Sequence, residues 1–157
     1  MLENMIDKIE LIRSHLEKDP STIVFGEIKL EKTPRSYPAD DLLKDYYDLL
    51  NSFSYLSCGS ILIIGYEELD RFQGYLLDIP DSSSNWKCIG KSHTYPIFIN
   101  FNDCSIKILQ GEPYSDQDFR SYGLFSNFIK DYVVGGKYKE LWGEDDWYRF
   151  LVKIGML

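Results

Sequence analysis

Cysteine and histidine are the side chains of this sequence that could most readily act as a nucleophile and its base. His93 has Cys88 five residues before it and Cys104 eleven residues after it. A cysteine–histidine pair must lie within hydrogen-bonding reach, which neighbouring strands could provide. Cys88, however, alternates with Ile89 in a strand-like run, and buried cysteines usually pack as small apolar side chains. We therefore expect the three thiols, including Cys58, to be structural.

The remaining sequence features do not indicate a cofactor or a metal. Zinc sites usually place their cysteine and histidine ligands in closely spaced pairs, which this sequence lacks. His15, the second histidine, lies beside the apolar stripe of an N-terminal helical pattern, so a surface or boundary position is expected. No glycine pattern typical of a phosphate-binding or dinucleotide-binding loop is present. The sequence therefore predicts a protein without catalytic, cofactor-binding or metal-binding residues.

The most informative polar stretch is an acidic loop that also carries aromatic side chains. Glu112, Asp116 and Asp118 occur beside Tyr114 and Phe119. Aromatic side chains anchor protein interfaces and charges steer the encounter, so this composition favours a partner-binding surface. An ordinary solvated loop would have a similar composition, and the sequence leaves both interpretations open.

The chain as a whole is acidic. It has 25 acidic and 17 basic residues and a formal net charge of −8. Nucleic acids and anionic membranes are bound through Lys and Arg, so neither is expected as a partner. A cationic protein partner fits this charge, although solubility alone would also explain it. Asp78 and Asp81, on a second polar loop, are further candidates for contact with such a partner.

The sequence also predicts a compartment. Three cysteines without paired spacing are typical of reduced thiols in a cytosolic protein. Residues 1–19 carry charges throughout and lack the uninterrupted apolar segment of a signal peptide. The longest apolar run, residues 61–64, is too short to span a bilayer. We therefore expect a cytoplasmic protein.

Hydrophobic periodicity predicts a single α+β domain over residues 1–157. A meander of three strands is expected between Trp86 and Leu109, with Trp86 buried as an anchor on the same face as Cys88 and Gly90. Helical patterns are predicted on both sides of it, over residues 2–16, from 38 to the break at Cys58-Gly59, over 124–133 and from 144 onward. Extended segments are predicted at residues 23–32, 60–65 and 73–78, and a long loop at 110–123.

Several motifs follow one another between about residues 38 and 140. They are a helix ending near Leu-Leu-Asn51, then Tyr55-Leu-Ser-Cys-Gly-Ser-Ile-Leu-Ile-Ile-Gly65, Trp86-Lys-Cys-Ile-Gly90, Pro96-Ile-Phe-Ile-Asn, and Phe125-Ser-Asn-Phe-Ile-Lys-Asp-Tyr132 with Gly136-Lys-Tyr138. In this order they resemble the SMI1/KNR4 family, also called the SUKH superfamily. Many members carry an Asn-Gly pair after the second helix, where this chain has Cys58-Gly59. The resemblance implies a central, mostly antiparallel sheet flanked by helices.

The resemblance also implies a function. Many bacterial members are immunity proteins that bind and neutralise polymorphic toxins, often nucleases, and fungal members are regulatory scaffolds. The family has no established catalytic residues to transfer to this chain. We expect an immunity protein whose acidic surface binds a cationic toxin, because a net charge of −8 attracts such a toxin and speeds association. A regulatory or scaffold protein with a cellular partner and a small enzyme remain alternatives.

Overall fold

The computed structural model describes residues 2–37, 42–78, 85–110 and 119–157. Within these ranges the chain forms seven strands in one antiparallel sheet and six α-helices, so the predicted α+β class with a sheet flanked by helices is confirmed. The strands are β1 (Gly26–Leu30), β2 (Phe53–Cys58), β3 (Ile61–Ile64), β4 (Trp86–Ser92), β5 (Tyr95–Asn100), β6 (Ser105–Leu109) and β7 (Phe119–Leu124). Each strand pairs with the next one in the chain, which makes the sheet a single meander.

The helices occur before, between and after the strands. They are α1 (Leu2–Lys18), α2 (Lys44–Ser52), α3 (Leu69–Phe72), α4 (Phe125–Phe128), α5 (Tyr138–Trp142) and α6 (Asp146–Lys153). Short 3-10 segments cover Pro20–Val24, Tyr66–Glu68 and Gln73–Asp78, and a π-helical turn covers Ile129–Val133. The residues predicted to begin the second helix, 38–41, lie outside the described part of the chain.

One face of the sheet packs against helices and forms the main core. Helix α1 contributes an apolar stripe at helical spacing, and the sheet contributes side chains that alternate along its strands. The buried residues of the α1 stripe are Met5, Ile9, Ile12 and Leu16. From strands β5 and β6, four side chains are fully buried in the same core: Ile97, Ile99, Ile106 and Ile108.

A hydrogen-bonded network joins the C-terminal helices to the turn between β2 and β3. The Tyr138 hydroxyl donates to Asp145 Oδ2 at 2.6 Å and accepts from the backbone N–H of Ser60 at 2.9 Å. The other carboxylate oxygen of Asp145 caps α6 by accepting from the Tyr148 N–H at 3.1 Å. Burial and the bond to Asp145 raise the pKa of Tyr138. The network therefore fixes α6 on the sheet through a protonated tyrosine.

A β-bulge in β4 decides which of its side chains face the main core. Cys88 pairs with Phe98, whereas Gly90 pairs with Ile97, so Ile89 is an extra residue in this strand. Phe98 and Ile97 are neighbours in β5 and point to opposite faces. The prediction that Trp86, Cys88 and Gly90 share one face is therefore wrong for Gly90.

Two segments predicted as helix or loop are strands. The second helix ends at Ser52, and Phe53–Cys58 forms β2 between β1 and β3. Residues 119–123, predicted as part of a loop, form β7 together with Leu124, predicted as the start of a helix, and pair with β6. Both segments are short, and the pairing of their backbone with neighbouring strands outweighs their local sequence preference.

The predicted strand at residues 73–78 is a 3-10 helix. The side chain of Gln73, the first residue of this segment, holds the segment against the edge of β4. The Gln73 side-chain amide donates from Nε2 to the Cys88 carbonyl at 2.9 Å, and its Oε1 accepts from the Cys88 N–H at 3.1 Å. The amide thus makes the two hydrogen bonds that a neighbouring strand would make to Cys88 beside the bulge.

Candidate protein-binding face

The face of the sheet opposite the main core carries a second apolar cluster, which we call the aromatic face. Its members are Cys88, Phe98 and Leu109, which are buried, and Phe72, Tyr75, Leu76, Trp86 and Phe119, which are partly exposed. Strand pairing builds it, because Cys88 pairs with Phe98 and Leu109 pairs with Phe119. Residues two apart on a strand share a face, so Trp86 joins Cys88 there.

Trp86 and Phe119 form the partly exposed centre of the aromatic face. Their ring centroids lie 5.1 Å apart at an interplanar angle of 60°, and Phe98 meets Phe119 edge to face at 5.7 Å. Edge-to-face contacts of this kind stabilise aromatic clusters beyond the area that they bury. The prediction that Trp86 is a fully buried core anchor is therefore wrong, since its ring belongs to a small and partly exposed cluster.

Two lysines lie over the rings of this face. The Lys107 ammonium is 5.5 Å from the Trp86 ring centroid and 4.9 Å from that of Phe119. The Lys91 ammonium is 5.4 Å from the Phe72 ring centroid and 4.9 Å from that of Tyr75. These are cation–π distances, and neither lysine forms a salt bridge with a carboxylate among the described residues.

The predicted contact residues flank the aromatic face in the chain. Glu112, Tyr114, Asp116, Asp118 and Asp81 lie outside the described residues, and Asp78 is the last residue of the 3-10 helix Gln73–Asp78. The undescribed stretches are 79–84 and 111–118. Leu76 and Trp86 stand before and after the first stretch, and Leu109 and Phe119 before and after the second. The ends of both acidic loops therefore meet in one cluster, although they are far apart in sequence.

No protein-family model, curated protein or solved structure matches this chain. In the part of the chain that the structure describes, no helix combines the length and the apolar character needed to cross a membrane. Among the same residues, no group of three or more His, Cys, Asp or Glu side chains is placed to hold a metal ion.

The structure does not bring Cys88 and His93 together as a reactive pair. Cys88 is fully buried in the aromatic face, and burial raises the pKa of its thiol to about 11. His93 is exposed in the turn between β4 and β5, with a left-handed φ of 57°, and its ring lies 5.4 Å from that of Trp142. At neutral pH the Cys88 thiol is therefore protonated and has little nucleophilic character.

All three thiols are expected to react with a water-soluble disulfide reagent only when the chain opens. Cys58 and Cys88 are fully buried and Cys104 is 6 % exposed, and burial also raises the pKa of Cys58. Opening costs free energy, so we expect labelling of the native protein to be at least about a hundredfold slower than labelling in denaturant. The absorbance at 412 nm of the thiolate released from the reagent measures both rates. A thiol that reacts equally fast in native and denatured protein would contradict a structural role, and single Cys→Ser variants would identify it.

Proposed function

We propose that this chain is an immunity-type binding protein of the SMI1/KNR4 kind that neutralises a cationic protein toxin, of the nuclease type. One observation carries this proposal. Stretches 79–84 and 111–118 hold four carboxylates and no basic residue, and the chain enters and leaves both stretches within three residues of the aromatic face. The two acidic stretches that the sequence predicts as a partner-binding surface thus flank the aromatic face, whose rings are partly exposed.

The two parts of this surface suit different stages of binding. The carboxylates, Asp81, Glu112, Asp116 and Asp118, outnumber the two lysines of the aromatic face and add to a net charge of −8. Long-range attraction of this kind speeds the encounter with a basic protein. The partly exposed rings of Trp86 and Phe119 supply rigid apolar area of the type that slows dissociation. Neither part requires a chemical reaction by this chain.

We expect the loop carboxylates to control the rate of association. The variant Glu112→Gln/Asp116→Asn/Asp118→Asn removes three negative charges and should slow association with a candidate cationic toxin, taken from the genes neighbouring that of this chain, about tenfold at low salt. At high salt the difference from wild type should shrink, because the attraction is screened. Surface plasmon resonance at both salt concentrations, with a toxin-activity assay, measures binding and protection.

Two further variants separate charge from anchoring. Tyr114→Ala should mainly speed dissociation, because an anchor side chain acts after the encounter. Asp7→Asn/Glu140→Gln/Glu144→Gln removes the same number of charges from exposed positions outside the aromatic face and should slow association much less. If the loop variants bind and protect like wild type, this loop is not the interface, and Asp78 and Asp81 become the residues to test. If wild type neither binds nor protects against that toxin, the proposed function is wrong.

A further inference from the structure

Strand β1 is an edge of the sheet, and a groove runs along its outer side. Among the described residues its only strand partner is β2. Two adjoining pockets of about 360 and 690 Å³ follow this edge and share Arg13, Glu17 and Ile28 in their linings. Arg13 and Glu17 belong to α1, so this helix forms one wall of the groove. An edge strand beside such a groove presents its backbone to another chain.

The register of β1 and β2 shows which backbone groups face the groove. The Gly59 N–H donates to the Phe25 carbonyl at 2.7 Å, just before β1 begins. Hydrogen-bonded and non-hydrogen-bonded pairs alternate along antiparallel strands. Gly26 and Ile28 therefore turn their backbone groups to the groove, and Glu27 and Lys29 turn theirs to β2. The register shifts between Lys29 and Leu30, but beyond the shift the Glu31 N–H donates to the Ser52 carbonyl at 3.0 Å, so Leu30 also turns its backbone groups to the groove.

The sequence of this edge is complementary to itself in the antiparallel direction. A twofold axis through Ile28 places Gly26 opposite Leu30 of a second copy, and Glu27 opposite Lys29 of that copy. The pairs Gly26–Leu30 and Ile28–Ile28 then coincide with the outward backbone groups, as hydrogen-bonded pairs require. The two Glu27–Lys29 pairs place opposite charges across the interface, which stabilises paired strands.

We propose that two copies of this chain associate through their β1 edges, related by a twofold axis at Ile28, into one continuous sheet of fourteen strands. The β1 edge, the register and the charges of Glu27 and Lys29 carry this proposal. It is independent of the proposed toxin binding. An isologous pairing of this kind closes after two copies and leads to a dimer, not a fibre.

The side chains of the edge fit this arrangement. Glu27 and Lys29 lie on the same side of β1 with their charged groups 3.3 Å apart, and 32 % and 61 % of their side-chain surface remains exposed. A methyl group on Gly26 would overlap the Trp147 ring of α6 and contact Leu16 of α1, so Gly26 and the residues two apart from it lie on the side of β1 that these helices cover. On that side Leu30 of the second copy meets the smaller pocket, which Leu16, Pro20 and Ile23 line.

Exposed apolar residues at this edge also favour a covering partner. Val24 is 83 % exposed, Ile23 63 % and Leu30 43 %. The Leu30 carbonyl already accepts from Ser54 Oγ at 3.2 Å, and its second lone pair remains available for a strand bond. Charged side chains on an edge strand usually hinder its pairing with another chain. In the proposed dimer, the twofold axis instead places Glu27 of each copy opposite Lys29 of the other.

Charge reversal at the edge tests the proposal. Wild type is expected to dimerise with increasing concentration between about 1 and 200 µM by sedimentation velocity. Glu27→Lys and Lys29→Glu each replace both attractive pairs with repulsive ones, so each should raise the dimer dissociation constant about tenfold or more. The double variant Glu27→Lys/Lys29→Glu restores opposite charges and should dimerise like wild type.

A mixture of the two single variants provides the most specific outcome. One chain then has two lysines and the other two glutamates at these positions, so the mixed dimer has only attractive pairs and should form where neither variant dimerises alone. Glu144→Lys and Lys130→Glu make the same changes in net charge at exposed positions away from β1 and should leave dimerisation unchanged. A wild type that stays monomeric, or single variants that dimerise like wild type, would overturn the proposal. Circular dichroism confirms that each variant is folded.

Discussion

Replacing Trp147 with alanine is expected to lower the free energy of unfolding by about 3 to 5 kcal/mol. The Trp147 side chain is fully buried, and its Nε1–H donates to the Val133 carbonyl at 2.9 Å. Its ring lies against Gly26 of β1 and 5.6 Å from the ring of Phe150. The substitution leaves a cavity between α6 and the sheet and an unpaired buried carbonyl, and both are unfavourable.

Trp86→Ala is the matched control, because it removes the same side chain from a partly exposed position. We expect a loss of about 1 to 2 kcal/mol, since the Trp86 ring buries less apolar area. Urea denaturation followed by circular dichroism gives both values from the midpoint and slope of the transition. Equal losses for the two variants would show that the aromatic face contributes as much stability as the main core does.

These two tryptophans illustrate what the sequence could and could not predict. Trp147 recurs with Phe150 and Leu151 at helical spacing, which predicted a helix in this segment, and the structure buries all three side chains on one face of α6. The strand pattern at position 86 placed that indole on a face with Cys88 but did not show which face holds the main core. That choice depends on the helices packed on each side of the sheet, and on the bulge at Ile89, which no local pattern reveals.

The same limit applies to whole elements. Helix α1 and strand β3 were predicted correctly, because a long amphipathic stripe and a continuous apolar run are strong local signals. Strand β7 was not predicted, because its sequence lacks an alternating apolar pattern. Only Phe119 and Tyr122 of its six residues are partly buried, and the others are exposed. Its strand conformation results from pairing with β6, which is a tertiary interaction.

For the candidate binding surface, composition was the informative part of the sequence. The acidic loops were recognisable because carboxylates, a tyrosine and a proline cluster within a few residues. The positions of Lys91 and Lys107 over aromatic rings could not be recognised from the sequence, since each lysine contacts rings from distant segments. The self-complementary edge of β1 also required the structure, because its meaning depends on β1 having an open side.

Gly90→Ala is expected to lower the free energy of unfolding by at least about 2 to 4 kcal/mol, or to prevent folding. Gly90 lies in β4 beside the bulge and pairs with Ile63 of β3. A methyl group there would overlap the carbonyl oxygen of Leu62 and lie 2.9 Å from its carbonyl carbon. These are backbone atoms, so no side-chain rotation relieves the overlap and β3 must move away from β4.

Gly74→Ala is the matched control, because a methyl group on Gly74 meets no atom within 4 Å. We expect this variant to be unchanged or stabilised by up to about 1 kcal/mol, since alanine restricts the unfolded chain more than glycine does. Thermal and urea denaturation compare both variants with wild type. A Gly90→Ala protein as stable as the Gly74→Ala protein would show that β3 and β4 can separate at little cost. The close backbone contact would then not be the reason that glycine occupies position 90.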